Sequence, residues 1–196
     1  IMLPSSPLHH ILMTSVQSPV VATSGNRTQE PICFDEREAL RDLQGIADLF
    51  LVHNRPIVQY IDDSIVRVVA GRPLMLRRAR GYASLPIRTK HLLPAALAVG
   101  GHLKNSFAIS RGHIIYLSHH IGDLETHKAC EAFDREVTRL QQVYAVDPDV
   151  VVADSHPEYY SSRYASGLSK PQRQCQHHLA HVFSCMADND VDAPLL

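Results

Sequence analysis

The residues best placed to do chemistry are in Gln176-His177-His178-Leu179-Ala180-His181. On a helix, residues four apart share a face, so His177 and His181 can offer two imidazoles to one metal ion while His178 points elsewhere. No Glu follows the first His, which excludes the HExxH chemistry of a zinc protease. A catalytic metal generally takes three or more protein ligands, so further ligands are expected from elsewhere. The chain holds 13 histidines, and His9-His10 and His119-His120 are read as binding nothing. Spacing alone therefore leaves a divalent-metal site (Zn or Fe, both compatible with imidazole) and a chance cluster both open.

A second chemical feature is the cluster Arg67, Arg77, Arg78 and Arg80. Guanidinium forks match phosphate oxygens bidentately, which suits a phosphate clamp. A solvated basic face on a two-stranded ribbon accounts for the same residues.

These groups need elements to position them. Pro19 to Thr23 is expected to be a short buried strand running into the turn Ser24-Gly25-Asn26. Asp35 to Leu43 reads as an amphipathic helix with acidic residues in its first turn. Ile46 to Val52 reads as a strand, and Ser64 to Val69 with Arg72 to Arg78 as a hairpin about Ala70-Gly71. From Ser84 to Pro94 there is no clear period, and the boundary falls there: one unit over 1–86, a linker over 87–94 and a second unit over 95–196.

In the second unit Ala95 to Val99 is an apolar strand ending in Gly100-Gly101. Ser106 to Ser110 and His113 to Leu117 are expected to form a hairpin about Arg111-Gly112. A helix from about Thr126 to Tyr144 follows, with Phe133, Val137, Leu140 and Tyr144 on one face. Asp149 to Ala153 is a buried strand leading into Asp154-Ser155-His156-Pro157. This βββαβα order indicates an α/β domain of the ribonuclease-H or actin-like ATPase kind.

Composition removes several function classes. With 19 basic against 20 acidic residues, the chain lacks the positive footprint of a dedicated nucleic-acid binder. Its 45% hydrophobic and 20% charged content is that of a folding chain. The uncharged opening is broken by Pro4, Pro7 and Pro19 and has no positive n-region, so neither a membrane span nor a signal peptide is expected. A soluble, cytoplasmic protein is the default. Cys33, Cys130, Cys175 and Cys185 form no Cys-x-x-Cys pair and read as free thiols. A start at Ile1 and an end shortly after the His motif mark the chain as a piece of a longer protein.

The motifs, taken in order, resemble one family. Leu3-Pro4, Pro7-Leu8-His9-His10, Thr23-Ser24-Gly25-Asn26, Glu30-Pro31-Ile32, Ile46-Ala47-Asp48, His53-Asn54-Arg55-Pro56-Ile57, Asp62-Asp63-Ser64 and Arg77-Arg78-Ala79-Arg80-Gly81-Tyr82 look like the latter part of a YrdC-like domain. Leu103-Lys104-Asn105, Ser118-His119-His120-Ile121-Gly122-Asp123-Leu124, Asp154-Ser155-His156-Pro157 and His177-His178-Leu179-Ala180-His181 look like the opening of a TsaD-like domain. The two together, in this order, resemble the hydrogenase-maturation carbamoyltransferase family, HypF.

That resemblance implies a two-step carbamoyl transfer. A YrdC-like domain joins carbamate, released from carbamoyl phosphate, to ATP as carbamoyl-adenylate, and a TsaD-like domain passes the carbamoyl group to the C-terminal cysteine of HypE. It assigns Ser24 and Asn26 to the nucleotide site, Arg67, Arg78 and Arg80 to charge neutralisation as pyrophosphate leaves, and Lys104 to a phosphate contact. His177 and His181 would hold the divalent metal, with Mg accompanying ATP. Asp123 and His156 lie in family motifs, where a capping or loop-bracing role weighs as much as a catalytic one. The fragment alone is expected to be inactive. Rival readings are tRNA threonylcarbamoylation, whose two enzymes separately resemble these domains, and a non-catalytic remnant binding a nucleotide or, through the YrdC-like part, RNA.

Overall fold

The computed structural model describes residues 2–83, 85–189 and 191. Helix α1 (Pro7–Val16) starts where the Ser6 hydroxyl accepts the His9 N–H, with Pro7 in the first turn and Gln17 closing the end at φ 54°. The sequence reading missed this helix, although Ser-Pro is a start signal. Helix α2 (Glu36–Asp42) matches expectation, with the Asp35 carboxylate capping the N–H groups of Arg37 and Glu38. Strands β1 (Ile65–Val69) and β2 (Arg72–Arg77) form the expected hairpin. Its two-residue turn puts Ala70 and Gly71 at φ 49° and 75°, the doubly positive geometry that suits strand twist.

The rest is a four-stranded sheet with helices: β3 (Pro86–Ala98), β4 (Ala108–Leu117), α3 (His127–Tyr144), β5 (Val150–Asp154), α4 (Tyr160–Ser166), β6 (Gln172–Cys175) and α5 (His177–Asn189). The order across the sheet is β4-β3-β5-β6; β3 and β4 are antiparallel, and β3, β5 and β6 run parallel. Thr126 caps α3 through the Ala129 N–H. The helix turns Phe133, Val137 and Leu140 onto Leu97, Phe107, Ile109 and Val151 of the sheet side, all fully or nearly fully buried. Phe133 meets Phe107, Tyr160 and Tyr164 edge to face at centroid distances of 5.7, 6.1 and 5.1 Å. The mixed α/β class stands as read.

Four local expectations fail, for two reasons. Pro19 to Thr23 and Ile46 to Val52 are exposed, non-strand segments; Val21 is 101% and Leu49 90% exposed. An apolar run becomes a strand only when another strand satisfies its backbone groups, and no described strand lies beside either. The other two misreadings concern β3 and β4. Residues 87–94, read as a linker, belong to β3, and Ala108 to Ser110 with His113 to Leu117 belong to one strand instead of a hairpin about Arg111-Gly112. Five steps of β3 from Arg88 to Leu93 face two steps of β4 from Ile114 to Gly112. That bulge erases the alternation a strand normally shows, and Gly112, at φ 63°, serves the irregular ladder rather than a turn. In the four-stranded sheet two strands therefore precede α3, not three. Ser84, the first residue of the aperiodic stretch, lies outside the described residues.

The halves before and after β3 begins are tied by side chains as well as by chain. Tyr60 lies edge-on to buried His119 at 5.2 Å, Arg135 sits 5.0 Å over the Phe34 ring, and the His120 N–H donates to the Arg78 carbonyl at 3.0 Å. Lys128, near the start of α3, reaches back to Glu30 at 2.7 Å, Asp42 at 2.5 Å and Glu38 at 3.6 Å. Partial burial opposes the Lys128 charge, but hydrogen bonds to Asp42 and Glu30 outweigh it and hold the ammonium above its ordinary pKa.

Hydrogen bonds from Lys128 and then Arg41 lower the Asp42 carboxyl from 3.8 to about 2. A depressed folded-state value means that the contact stabilises above the ordinary carboxyl pKa and is lost as pH falls through the folded value. The urea midpoint of the protein is therefore expected to drop between about pH 4 and pH 2, and to drop less steeply in Lys128→Met. Parallel pH curves for the two proteins would show that this cluster contributes nothing.

Candidate functional site

Two sets of candidate residues come together in different places. In the first half, Ser24 and Asn26 line a cavity of about 280 Å³ with Glu30, Tyr60, Asp62 and Arg77, and the second half closes it with Ile121, Gly122 and Asp123. The loop is held by the Asn26 amide, which donates to the carbonyls of Arg27 and Glu30 at 2.9 and 3.0 Å, and by the Cys33 N–H on the Gly25 carbonyl. The Asn26 Oδ1 is buried without a partner.

Of the four clustered arginines, Arg77 lines this cavity. Arg67 lies on exposed β1. Arg78 donates to the Leu85 carbonyl at 3.4 Å, and Arg80 is engaged by Asp63 at 3.1 Å and the Ile61 carbonyl at 3.3 Å. The structure thus gathers Ser24, Asn26 and Arg77, while Arg67, Arg78 and Arg80 stand outside the lining. Arg77 was visible in the sequence as a member of the cluster, but nothing there distinguished it from its neighbours.

The second set lies at the carboxyl ends of the three parallel strands, where open α/β sheets place their ligand sites. β3 delivers Gly100-Gly101. There φ is 72° at Gly100, and a Cβ would overlap the Ser106 carbonyl. Buried Ser161 donates to the carbonyls of Gly100 and Gly101 at 3.0 and 3.4 Å, and the Asn105 amide donates to those of Val99 and Gly101 at 3.0 and 2.6 Å. Lys104 follows in left-handed backbone at φ 49°, its N–H donating to Asp123 Oδ1 at 2.6 Å. Asp123 thus braces the loop that carries Lys104. His156 stacks on Tyr159 at 4.1 Å, and Tyr159 on His102 at 5.3 Å, which is a bracing role too.

β5 ends in Asp154, and β6 leads into α5, which carries the imidazoles. Asp154 pairs in register with Cys175, two residues before α5 begins at His177. The His177 and His181 Nε2 atoms lie 3.1 Å apart, and Asp154 Oδ2 is 2.7 Å from His177 Nδ1. Two nitrogens bound tetrahedrally to one zinc at ordinary bond lengths stand about 3.3 Å apart, so the pair fits as two ligands of one ion. Among the described residues no cluster supplies a third such ligand. Asp154 escaped the sequence reading as a functional residue. Its signal was an acidic residue ending the apolar run Val150 to Ala153.

Two family models match successive parts of the chain. Residues 91–188 match the model of the HypF Kae1-like domain, and residues 1–79 match the Sua5/YciO/YrdC model described as telomere recombination. The chain is 47% identical to the carbamoyltransferase HypF of Synechocystis sp. over 97% of its own length and 25% of that relative. It is 40% identical to the carbamoyltransferase HypF of Rhizobium leguminosarum over 100% of itself and 27% of the relative. It therefore spans about a quarter of these relatives. A crystal structure of full-length HypF in the phosphate- and nucleotide-bound form superposes with a TM-score of 0.91 at 47% identity, covering 98% of this chain and 31% of that one. For HypF of T. kodakarensis the TM-score is 0.89 at 34% identity, covering 97% and 26%. The chain belongs to the HypF family.

Proposed function

We propose that this chain is part of an ATP-dependent carbamoyltransferase of nickel-iron hydrogenase maturation acting in the cytoplasm. Carbamoyl phosphate and ATP supply carbamoyl-adenylate, and the carbamoyl group passes to the C-terminal cysteine of a HypE-like acceptor. The observation that carries this reading is the presence of both domain types in one chain, in HypF order, with a cavity lined by residues of both.

In this reading Ser24 and Asn26 hold nucleotide and carboxylate oxygens with short polar side chains and exposed N–H groups. Arg77 faces them directly, and Arg67, Arg78 and Arg80 supply positive potential from outside the lining to pyrophosphate as it leaves, with Mg accompanying ATP. Lys104 contacts phosphate at the transfer domain. His177 and His181 hold a divalent ion, Zn or Fe, which when bound supplies Lewis-acid polarisation of the acyl carbonyl. The chain's own contribution there is to converge two Nε2 donors at the strand ends and to keep them in place.

The discriminating experiment incubates the full-length protein with carbamoyl phosphate, ATP and either a HypE-like acceptor or threonine with tRNA. Carbamoylation of the acceptor protein is expected. A product formed only with tRNA would overturn the reading in favour of threonylcarbamoylation, and no product with either would favour a non-catalytic binding role. RNA recognition has little electrostatic support at a net charge of -1. No described helix is long and apolar enough to cross a membrane.

A further inference from the structure

We infer that Asp154 is the positioning residue of the His177 and His181 pair, fixing the His177 ring so that its Nε2 lone pair is presented to the metal. The inference rests on the metal reading of that pair. A carboxylate only accepts hydrogen bonds, so the 2.7 Å contact from Asp154 Oδ2 places the proton of neutral His177 on Nδ1 and leaves Nε2 as the donor atom. That Nε2 is the atom 3.1 Å from His181 Nε2.

Asp154 itself has little freedom. Its side chain is 9% exposed. Its other oxygen accepts the His156 N–H at 3.0 Å, its carbonyl accepts the Ser162 hydroxyl at 3.0 Å, and the β5 to β6 ladder fixes its backbone. Gly101 lies beside the ring, where a Cβ would be 3.6 Å from His177 Cε1. The half-exposed His177 ring is thus held at Nδ1 by a nearly buried carboxylate, with a glycine beside it.

The charge balance points the same way. The hydrogen-bond donors on the Asp154 carboxylate are an imidazole and a backbone N–H, neither of which is a permanent cation. A nearly buried carboxylate in that state favours positive charge on the far side of the imidazole, where a divalent ion bound to Nε2 would sit. The two ligands are therefore unequal. His177 is preset, whereas His181 must turn its Nε2 lone pair to the ion and carry its own proton on Nδ1.

The test is a Co²⁺ titration of the intact protein, read as a difference spectrum against the His177→Ala/His181→Ala protein so that only this pair is observed. Asp154→Ala is expected to weaken Co²⁺ binding about 10- to 100-fold, and the isosteric Asp154→Asn, which keeps an acceptor but loses the charge, to fall between. Long-range ¹⁵N correlation spectra of histidine-labelled, metal-free protein are expected to show the Nδ1–H tautomer of His177 in the wild type and in Asp154→Asn, and a mixture in Asp154→Ala. General destabilisation would not move that readout. If the wild type shows no Co²⁺ signal beyond that of the double His variant, the metal reading is overturned and this inference with it. If the wild type binds while both Asp154 variants bind equally tightly, the metal reading survives and Asp154 is not the positioning residue.

Discussion

Replacing His177 and His181 together with Ala is expected to reduce carbamoyl transfer to a HypE-like acceptor by more than about 100-fold, while pyrophosphate release in carbamoyl-adenylate formation stays near wild type. The separation follows from the layout. The imidazole pair belongs to the start of α5, just after β6, whereas Ser24, Asn26 and Arg77 line the cavity closed by Ile121 and Asp123. A metal acting as a Lewis acid contributes several kcal/mol of transition-state stabilisation, and each 1.36 kcal/mol is about tenfold in rate. The two readouts are labelled thiocarbamate on the acceptor and pyrophosphate in solution, both measured on full-length protein. Equal losses in both would mean that the pair supports the fold or the first step, and no loss in either would remove it from the chemistry.

Gly100→Ala is expected to be the most disruptive single-methyl change, lowering stability by about 2–4 kcal/mol. At φ 72° an L side chain is strained, and the added Cβ would meet the Ser106 backbone carbonyl, which cannot rotate away as a side chain can. The damage would spread, because the Gly100 and Gly101 carbonyls anchor Ser161 and Asn105, and Gly101 walls the His177 ring. Denaturant unfolding measures the stability loss, and the Co²⁺ signal should weaken along with it. Gly71→Ala makes the control: φ is also positive, at 75°, but the space around it is open, so the loss there should be limited to backbone strain. Equal losses at both glycines would show that the carbonyl overlap is relieved at no cost.

Much of the second half was legible because its signals are local. The four-residue spacing of His177 and His181, the apolar stripe of α3 and the buried run of β5 each report their own surroundings. The β1–β2 turn was legible for the same reason. What could not be read depends on distant partners. Val20, Val21, Leu49 and Leu51 have strand-like side chains, yet no described strand lies beside them, and a sequence carries no mark of that. The bulge in β3 hid a strand behind an aperiodic stretch. For the site, the sequence supplied residue types but not directions: four arginines looked alike until one was found to line the cavity with Ser24 and Asn26, and Asp154 acquires meaning only through the β5 to β6 register that sets it beside α5.

The segment first taken for a linker has a mechanical consequence. Because Pro86 to Arg88 pair with Ile114 to Tyr116, the connection between the halves is a stiffened beam rather than a tether. Swinging one half against the other would first require unzipping that end of β4, in addition to parting Lys128 from its carboxylates. The two halves are therefore held against swinging, and the pairing resists the strand exchange between copies that a loose hinge invites.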